Sequence, residues 1–368
     1  APPRLIEVVG GFLERRGRTA EARQLYQRYR QANPESPVVR AGLARTLVGA
    51  PAAAPPPFPA PDAKRGAADA LFNLAGLFRQ EATMANALAF GRLGLHLDPD
   101  SALGLLTVAE ILDQTGQRDA ADALFARVPA DSPFAYVAQL RQAENHQERG
   151  ELPAALAALE RLARAHPDRI DALTTMGNFL RVAERFPESA AAYGRALERI
   201  GAAPERRHWT VFYARGIAFE RAKNWPEAER HFKRALELQP EQPDVLNYLA
   251  YTWVDRNENL VEAERMLRRA VEQRPNSGHI VDSLGWAFFR LGRYEEAVPL
   301  LERAVELLPE DPVILDHLGD GYWRVGRRRE AEFQWQRALR NKPEADLKIE
   351  IEKKLRQGMP PSPHAARR

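Results

Sequence analysis

The chain has 368 residues, and 45% of them are hydrophobic, which is enough for a folded core. The formal net charge is only +3, with both signs interspersed as on solvated helix faces, so the isoelectric point near 9.1 does not indicate nucleic-acid binding. The absence of cysteine excludes disulfides, thiolate metal sites and cysteine nucleophiles, and no apolar run in this sequence approaches the ~18 residues of a membrane span.

Prolines recur at a nearly constant spacing along the chain. Each closes a segment with two amphipathic halves, the clearest being VDSLGWAFFRLGRYEEAVPLLERAVELLP at 281–309. The prolines in step are Pro99, Pro133, Pro167, Pro240, Pro275, Pro309 and Pro343. A 34-residue period of this kind predicts stacked helix–turn–helix repeats.

The predicted fold is all-α: a right-handed superhelical α-solenoid of about nine repeats with a C-terminal capping helix. Residues 1–48 are assigned to an N-terminal repeat and a short helix, and 49–66 to a Pro/Ala-rich extended linker. Eight repeats occupy 67–345. Residues 346–357 form the capping helix, because Leu347, Ile351 and Leu355 make an apolar stripe, and 358–368 form a disordered tail. The repeats in register span 3–36, 68–101, 102–135, 136–169, 170–203, 209–242, 243–277, 278–311 and 312–345.

Small residues recur at three positions of the C-terminal repeats. A helix can approach its neighbour closely only where side chains are small, so these rows are predicted to be helix-packing contacts. They are Ala228, Ala263, Ala297 and Ala331, then Ala235, Ala270, Ala304 and Ala338 on the second helices, and Gly216, Ala250, Gly285 and Gly319 on the first helices.

Together these patterns resemble the tetratricopeptide repeat family over nearly the whole chain. In such solenoids the first helix of each repeat lines a concave face, and its second, fifth, ninth, twelfth and thirteenth residues point inward. Aromatic, Arg and Asp side chains at these positions favour binding of a protein or peptide. The predicted partner-binding residues are Tyr213, Asn247, Tyr251, Asp282, Trp286, Phe289, Arg290, Asp316, Asp320, Trp323 and Arg324.

Two points stay open at this stage. Trp286, Phe289 and Trp323 could contact a ligand or pack against the next repeat. The three predicted aspartates could hold a divalent cation, but Arg290 and Arg324 on the same face favour an ion-paired cluster.

Motifs for catalysis are missing from the sequence. There is no Gly-rich phosphate loop, HExxH or GxSxG, and no two histidines are three or four residues apart. No catalytic, cofactor or metal site is therefore predicted. Carboxylate capture as practised by some family members is not supported, since only Asn247 resembles that residue set. The sequence predicts a non-catalytic interaction scaffold or adaptor.

The stretch 246–297, with one inserted residue in its turn and the segment HIVDSLGWA, resembles large tetratricopeptide proteins of the proteobacterial envelope. The resemblance implies a periplasmic or outer-membrane-associated protein, with further repeats and a signal peptide upstream. It also implies an envelope protease or its substrates as partners. The alternatives are a cytoplasmic protein, a regulatory or accessory subunit of an enzyme complex, and a carbohydrate- or nucleic-acid-binding module.

Overall fold

The computed structural model describes residues 3–33, 36–47 and 61–361. These residues form α-helices and one short 3-10 turn, Arg206–His208, with no β-strand among them. None of the helices in this part of the chain is long and apolar enough to cross a membrane. The predicted all-α fold of paired helices is confirmed.

The chain divides into two compact units, Ala1–Phe179 and Leu180–Arg368. The first contains α1 (Pro3–Arg15), α2 (Thr19–Ala32), α3 (Pro37–Arg45), α4 (Ala63–Gln80), α5 (Met84–Leu97), α6 (Ala102–Gln114), α7 (Arg118–Phe125), α8 (Ala135–Glu148) and α9 (Leu152–Ala165). Helix α10 (Asp171–Val182) includes the boundary between the units. The second contains α11 (Phe186–Ile200), α12 (Trp209–Arg221), α13 (Trp225–Leu238), α14 (Pro243–Asp255), α15 (Leu260–Gln273), α16 (Gly278–Arg290), α17 (Tyr294–Leu307), α18 (Pro312–Arg324), α19 (Arg328–Arg340) and α20 (Ala345–Gln357).

The turn inside each helical pair places one residue in the left-handed backbone region, at the same position of every predicted repeat. Such a residue ends the first helix and reverses the chain within three residues. The residues with positive φ at this position are Gly17, Ala82, Gly116, Gly150, Glu184, Lys223, Asn257, Gly292 and Gly326. A side chain with a Cβ is strained in this conformation, so the four turns without glycine carry a local cost.

Replacing Ala82 by glycine should relieve this strain. Ala82 has φ +58° and is exposed, so Ala82→Gly should raise the free energy of unfolding by about 0.5–1 kcal/mol, measured by urea denaturation. The matched control is Ala157→Gly, an exposed position in the middle of α9, which should cost about 1 kcal/mol. Destabilisation by both changes would show that the turn is not strained.

The small-residue rows form the contacts between helices, as predicted. All eight alanines of the second-helix rows have no exposed surface. On the first helices, a Cβ placed on Gly319 would lie 2.5 Å from Trp335, and one placed on Gly216 would lie 2.5 Å from Phe232. In each of these pairs, a ring of the second helix therefore packs directly against the backbone of the first helix at the glycine.

Adding one methyl group at this contact should be costly. Gly319→Ala places the methyl group against Trp335, which is fully buried and has no room to move, so we expect a loss of about 1–3 kcal/mol in unfolding free energy. Gly76→Ala in α4 is the control, because no atom lies within 4 Å of its added Cβ, and it should stabilise by up to about 1 kcal/mol. Equal effects at the two positions would contradict the packing described here.

Both ends of the main array differ from the sequence prediction. Most of the predicted linker lies outside the described residues, but 63–66 belong to α4, because the Asp62 side chain accepts a hydrogen bond from the Arg65 amide and starts the helix there. At the other end, α20 buries Ile351 against the last pair. Residues 358–361, predicted to be disordered, pack on α18, whereas 362–368 lie outside the described residues.

Candidate functional site

The first helices of the last four pairs, α12, α14, α16 and α18, border a groove with a volume of about 390 Å³, here called the inner groove. Its lining residues are Glu220, Asn247, Tyr248, Tyr251, Thr252, Asp255, His279, Asp282, Ser283, Asp311, Val313 and Ile314. Three predicted partner-binding residues, Asn247, Tyr251 and Asp282, are thus brought together in one groove.

Aromatic rings build the wall between α12 and α14. Tyr213 meets Tyr248 edge-on with ring centroids 6.0 Å apart, and both rings lie against Phe232 of α13. The Tyr248 hydroxyl donates a hydrogen bond of 3.1 Å to the Glu220 carboxylate. Burial raises the pKa of Tyr213 to about 12, so its hydroxyl stays protonated. Phe232 of α13 therefore packs behind both tyrosine rings of this wall.

Hydrogen-bonding capacity remains free in the groove. The hydroxyl groups of Thr252 and Ser283 donate to carbonyls of their own helices, each at 2.8 Å. By contrast, the side-chain oxygen of Asn247 is buried and accepts no hydrogen bond from the described residues. A buried acceptor without a donor costs free energy, and a bound segment with an N–H group would remove that cost.

The groove is also acidic. Asp255 is exposed at the end of α14, and the Asp311 carboxylate accepts hydrogen bonds from the Val313 and Ile314 amides at 2.9 and 3.1 Å, which caps α18. Burial raises the pKa of the Tyr251 hydroxyl, and the nearby carboxylates of Asp255 and Asp282 raise it further. Asp311 acts in the same direction on this pKa, and the Arg290 guanidinium opposes them.

Three lining acids, Glu220, Asp255 and Asp311, were not predicted. Glu220 and Asp255 occupy the twelfth and thirteenth positions of their repeats, which are among the positions predicted to face inward, so selecting every residue at these positions would have found both. Asp311 is the last residue of its repeat, a position that is not among them. Tyr248 and Ser283 occupy the sixth position. Nothing in the repeat pattern indicates that this position reaches the groove.

Further along the array, Trp286 and Phe289 of α16 pack against neighbouring side chains rather than lie open. The His317 imidazole is 2.9 Å from the Asp282 carboxylate and stacks on Trp286 with ring centroids 4.0 Å apart. Phe289 stacks on the other side of Trp286 and is 8% exposed. The prediction of Phe289 as a partner contact is therefore wrong, because the ring fills space between neighbouring helices.

Asp316 and Asp320 are also buried, contrary to the prediction of an open surface. The Lys354 ammonium of α20 lies 2.7 Å from the Asp316 carboxylate and 2.7 Å from that of Asp320, and the Trp335 indole donates to Asp320 at 3.0 Å. The acids are ion-paired as expected, but their cations are His317 and Lys354 rather than Arg290 and Arg324. No group of three or more metal-ligating side chains occurs among the described residues.

The chain itself covers Trp323 and Arg324. The Arg324 guanidinium donates to the Pro360 carbonyl at 2.7 Å, and Gly358 lies directly on the Trp323 ring. Arg290 donates to the Asp255 carbonyl at 3.2 Å, which brings it beside the inner groove. The structure therefore separates the predicted surface into an open part on α12, α14 and α16 and a covered part on α18.

Comparison with known proteins identifies the family. Sequence profiles described as tetratricopeptide repeat match residues 3–46, 137–169, 168–241, 213–278 and 255–312. The chain belongs to the tetratricopeptide repeat family. These repeats are in general a non-catalytic fold for protein–protein interaction, and the chain has the architecture of such a scaffold. No curated protein sequence matches the chain.

The solved structures to which this chain is similar share little sequence identity with it. The anaphase-promoting-complex heterotetramer Cut9–Hcn1 contains a chain 15% identical, with 80% of this chain and 55% of that chain covered and a TM-score of 0.53. A tetratricopeptide repeat protein from Parabacteroides merdae is 14% identical over 80% of this chain and 100% of its own, with a TM-score of 0.48. The TPR protein YrrB is 21% identical over 53% of this chain and 98% of its own, with a TM-score of 0.41.

The buried acids of α18 predict a pH-dependent stability. Burial and the neighbouring Asp316 carboxylate raise the pKa of Asp320 to about 6, while Lys354 and His317 oppose the rise. The unfolded carboxyl has a pKa near 4, so the folded state binds this proton more tightly and loses stability as the pH rises through that window. The melting temperature of the wild type relative to Asp320→Asn should therefore fall between about pH 4 and pH 7.

Circular-dichroism melts of both proteins at closely spaced pH values measure this difference. Two buried histidines also have shifted pKa values: Asp282 raises that of His317, and burial lowers that of His231 to about 4. The His231 contribution is the same in both proteins and cancels, whereas the Asp320 carboxylate itself helps to raise the pKa of His317, so the measured difference includes the response of His317. A constant difference across the range would show that Asp320 is not perturbed.

Proposed function

We propose that the chain is a scaffold that binds an extended segment of a partner protein in the inner groove. The observation that carries the proposal is a groove of about 390 Å³ in which tyrosine rings lie beside a buried, unpaired Asn247 oxygen. Aromatic rings offer large contact area with little loss of side-chain entropy, and polar groups of the groove fix the register of the bound chain.

The dimensions of the groove favour a segment over a compact ligand. Packed helices lie about 8–10 Å apart, so a groove across four first helices extends on the order of 25–30 Å. An extended chain rises about 3.3 Å per residue, and about eight residues would fill this length. A partner would therefore contribute a short extended stretch that crosses the first helices.

The end of the binding surface follows from the contacts of α20. Because Lys354, Gly358 and Pro360 cover the inner side of α18, the proposed segment lies over α12, α14 and α16 and ends near Asp311. Among the predicted partner-binding residues, Tyr251 and Asn247 are placed to contribute most. Trp286 would act indirectly by holding His317 and Asp282.

We also propose that the protein works in the bacterial envelope as an adaptor for a protease or its substrates. The support is the resemblance of residues 246–297 to proteobacterial envelope proteins of this family. Fractionation of cells that produce the full-length gene product tests the location. Recovery with a periplasmic or outer-membrane marker supports the proposal, and recovery only with a cytoplasmic marker contradicts it.

Site-specific crosslinking tests the groove. With a photoreactive phenylalanine in place of Tyr251, irradiation of producing cells should yield covalent adducts with a partner, because the side chain lines the groove. The same group in place of Phe333, an aromatic residue 54% exposed on α19, is the matched control and should yield none of these adducts. Mass spectrometry of the adducts identifies the partner.

Shortening a side chain that lines the groove should then weaken binding of the identified partner. Tyr251→Ala is expected to cost about 1–4 kcal/mol of binding free energy, as truncation of a central aromatic contact does. Phe333→Ala should leave the affinity unchanged, and circular dichroism should show equal helix content in both variants. The same adducts from position 333, or full affinity after Tyr251→Ala, would place the binding surface elsewhere.

A further inference from the structure

Negative charges predominate among the side chains that line the inner groove. Its lining includes four carboxylates and, among the described residues, neither lysine nor arginine. Two of these carboxylates have close partners: the His317 imidazole contacts Asp282, and backbone amides donate hydrogen bonds to Asp311. The other two have less. Glu220 accepts a hydrogen bond only from the neutral Tyr248 hydroxyl, and Asp255 accepts none from the described residues. The whole chain carries a net charge of +3, so this negative potential is a local property of the groove.

The positions of Glu220 and Asp255, the two acids without a charged partner, make the potential in the groove more negative. Glu220 lies in the last turn of α12, and Asp255 is the last residue of α14. Helix C-termini carry partial negative charge, so acidic side chains there are unfavourable for the helix and add to its potential. The Arg290 guanidinium donates to the Asp255 carbonyl and is not among the lining residues. The C-terminal ends of α12 and α14, together with the carboxylates they carry, therefore all contribute negative potential to the same groove.

A second observation points to a ligand with N–H groups. Asn247 lines the same groove, and its side-chain oxygen is buried and accepts no hydrogen bond from the described residues. Along α14, Tyr248 and Tyr251 lie between Asn247 and Asp255, and the Tyr248 hydroxyl contacts Glu220 of α12. Aromatic faces of this kind attract guanidinium and ammonium groups.

We infer that the inner groove binds a partner segment that carries arginine or lysine. The cationic side chain lies by Glu220 and Asp255 against the tyrosine rings, and an N–H group of the segment donates to Asn247. This inference rests on the proposed function and specifies the chemistry of its ligand.

The next repeat already contains a contact of this type within the chain. On α18, the Asp316 and Asp320 carboxylates hold the Lys354 ammonium at 2.7 Å each. These acids occupy the fifth and ninth positions of their repeat, which in the preceding repeats face the inner groove as Asn247, Tyr251 and Asp282. The inner side of these helices therefore accommodates a cation when a neighbouring segment supplies one.

Peptide binding to the full chain tests the inference. Four fluorescein-labelled eight-residue peptides of alanine and glycine, with two arginines, two lysines, two glutamines or two glutamates, are titrated by fluorescence anisotropy at two salt concentrations. The arginine and lysine peptides should bind at least tenfold more tightly than the other two. In the double variant Glu220→Gln/Asp255→Asn this preference should disappear, together with most of the salt dependence.

A matched double variant controls for overall charge. Glu272→Gln/Glu295→Gln removes the same charge from exposed positions on α15 and α17 and should bind as the wild type does. Asp255→Lys should reverse the preference toward the glutamate peptide, a gain that a misfolded protein would not show. Because Asp255 is unfavourable at its helix end, Asp255→Asn should melt no earlier than the wild type.

Three results would overturn the inference. They are equal binding of the glutamine and arginine peptides, loss of cation preference in the control variant, and unchanged preference in Glu220→Gln/Asp255→Asn. If the glutamine peptide binds as tightly as the arginine peptide and Tyr251→Ala abolishes the binding of both, the groove still binds segments and only the cationic specificity is wrong. If Tyr251→Ala affects neither these peptides nor the crosslinked partner, the proposed function itself fails.

Discussion

The second unit depends on one steric constraint at the point where the two helices of a pair cross. The second helix carries a large side chain there, and the first helix can accommodate it only because its own residue at that point is small. Trp335 lies on Gly319, Phe232 on Gly216, and Leu301 on Gly285. Close packing at these points fixes the two helices of a pair as one body, since interiors tolerate little change in volume. The face of each first helix that does not pack against other helices borders the inner groove.

Charges divide the inner face into two parts with different roles. On α16 and α18, Asp282, Asp316 and Asp320 are buried, and each has a partner two helices further along: the His317 imidazole of α18 for Asp282, and the Lys354 ammonium of α20 for Asp316 and Asp320. Such pairs add little net stability because desolvation offsets the attraction, but an unpaired charge there would be costly, so they favour one register between neighbouring repeats. On α12 and α14, by contrast, Glu220 and Asp255 face the groove without a cation. The first part joins repeats, and the second is available to a partner.

The C-terminal segment acts as more than an end cap. Its Ile351 closes the apolar core, as a capping helix must, and its Lys354 neutralises the acids of α18. Residues 358–361 then cover Trp323 and Arg324. A terminal repeat without these contacts would expose two buried carboxylates and an indole ring to solvent. The covered surface explains why the inner groove ends where it does.

The amino-acid sequence by itself determined the helical pairs and their packing, because both depend on local properties with a fixed period. The recurring prolines, the residues that reverse each turn and the rows of alanine and glycine each act within one repeat or between adjacent helices. The sequence also placed Asn247, Tyr251 and Asp282 on the inner face of the first helices, since side-chain direction along a helix follows from position alone.

Only the tertiary structure decided which of these side chains are open. Whether Asp320 meets solvent depends on Lys354, which lies 34 residues away, and whether Trp323 meets a partner depends on the path of the chain after α20. Likewise, Phe289 is buried because Trp286 and Tyr294 close around it. The period of a repeat specifies the direction of a side chain, but its exposure depends on the individual residues of the neighbouring repeat, which the period does not specify.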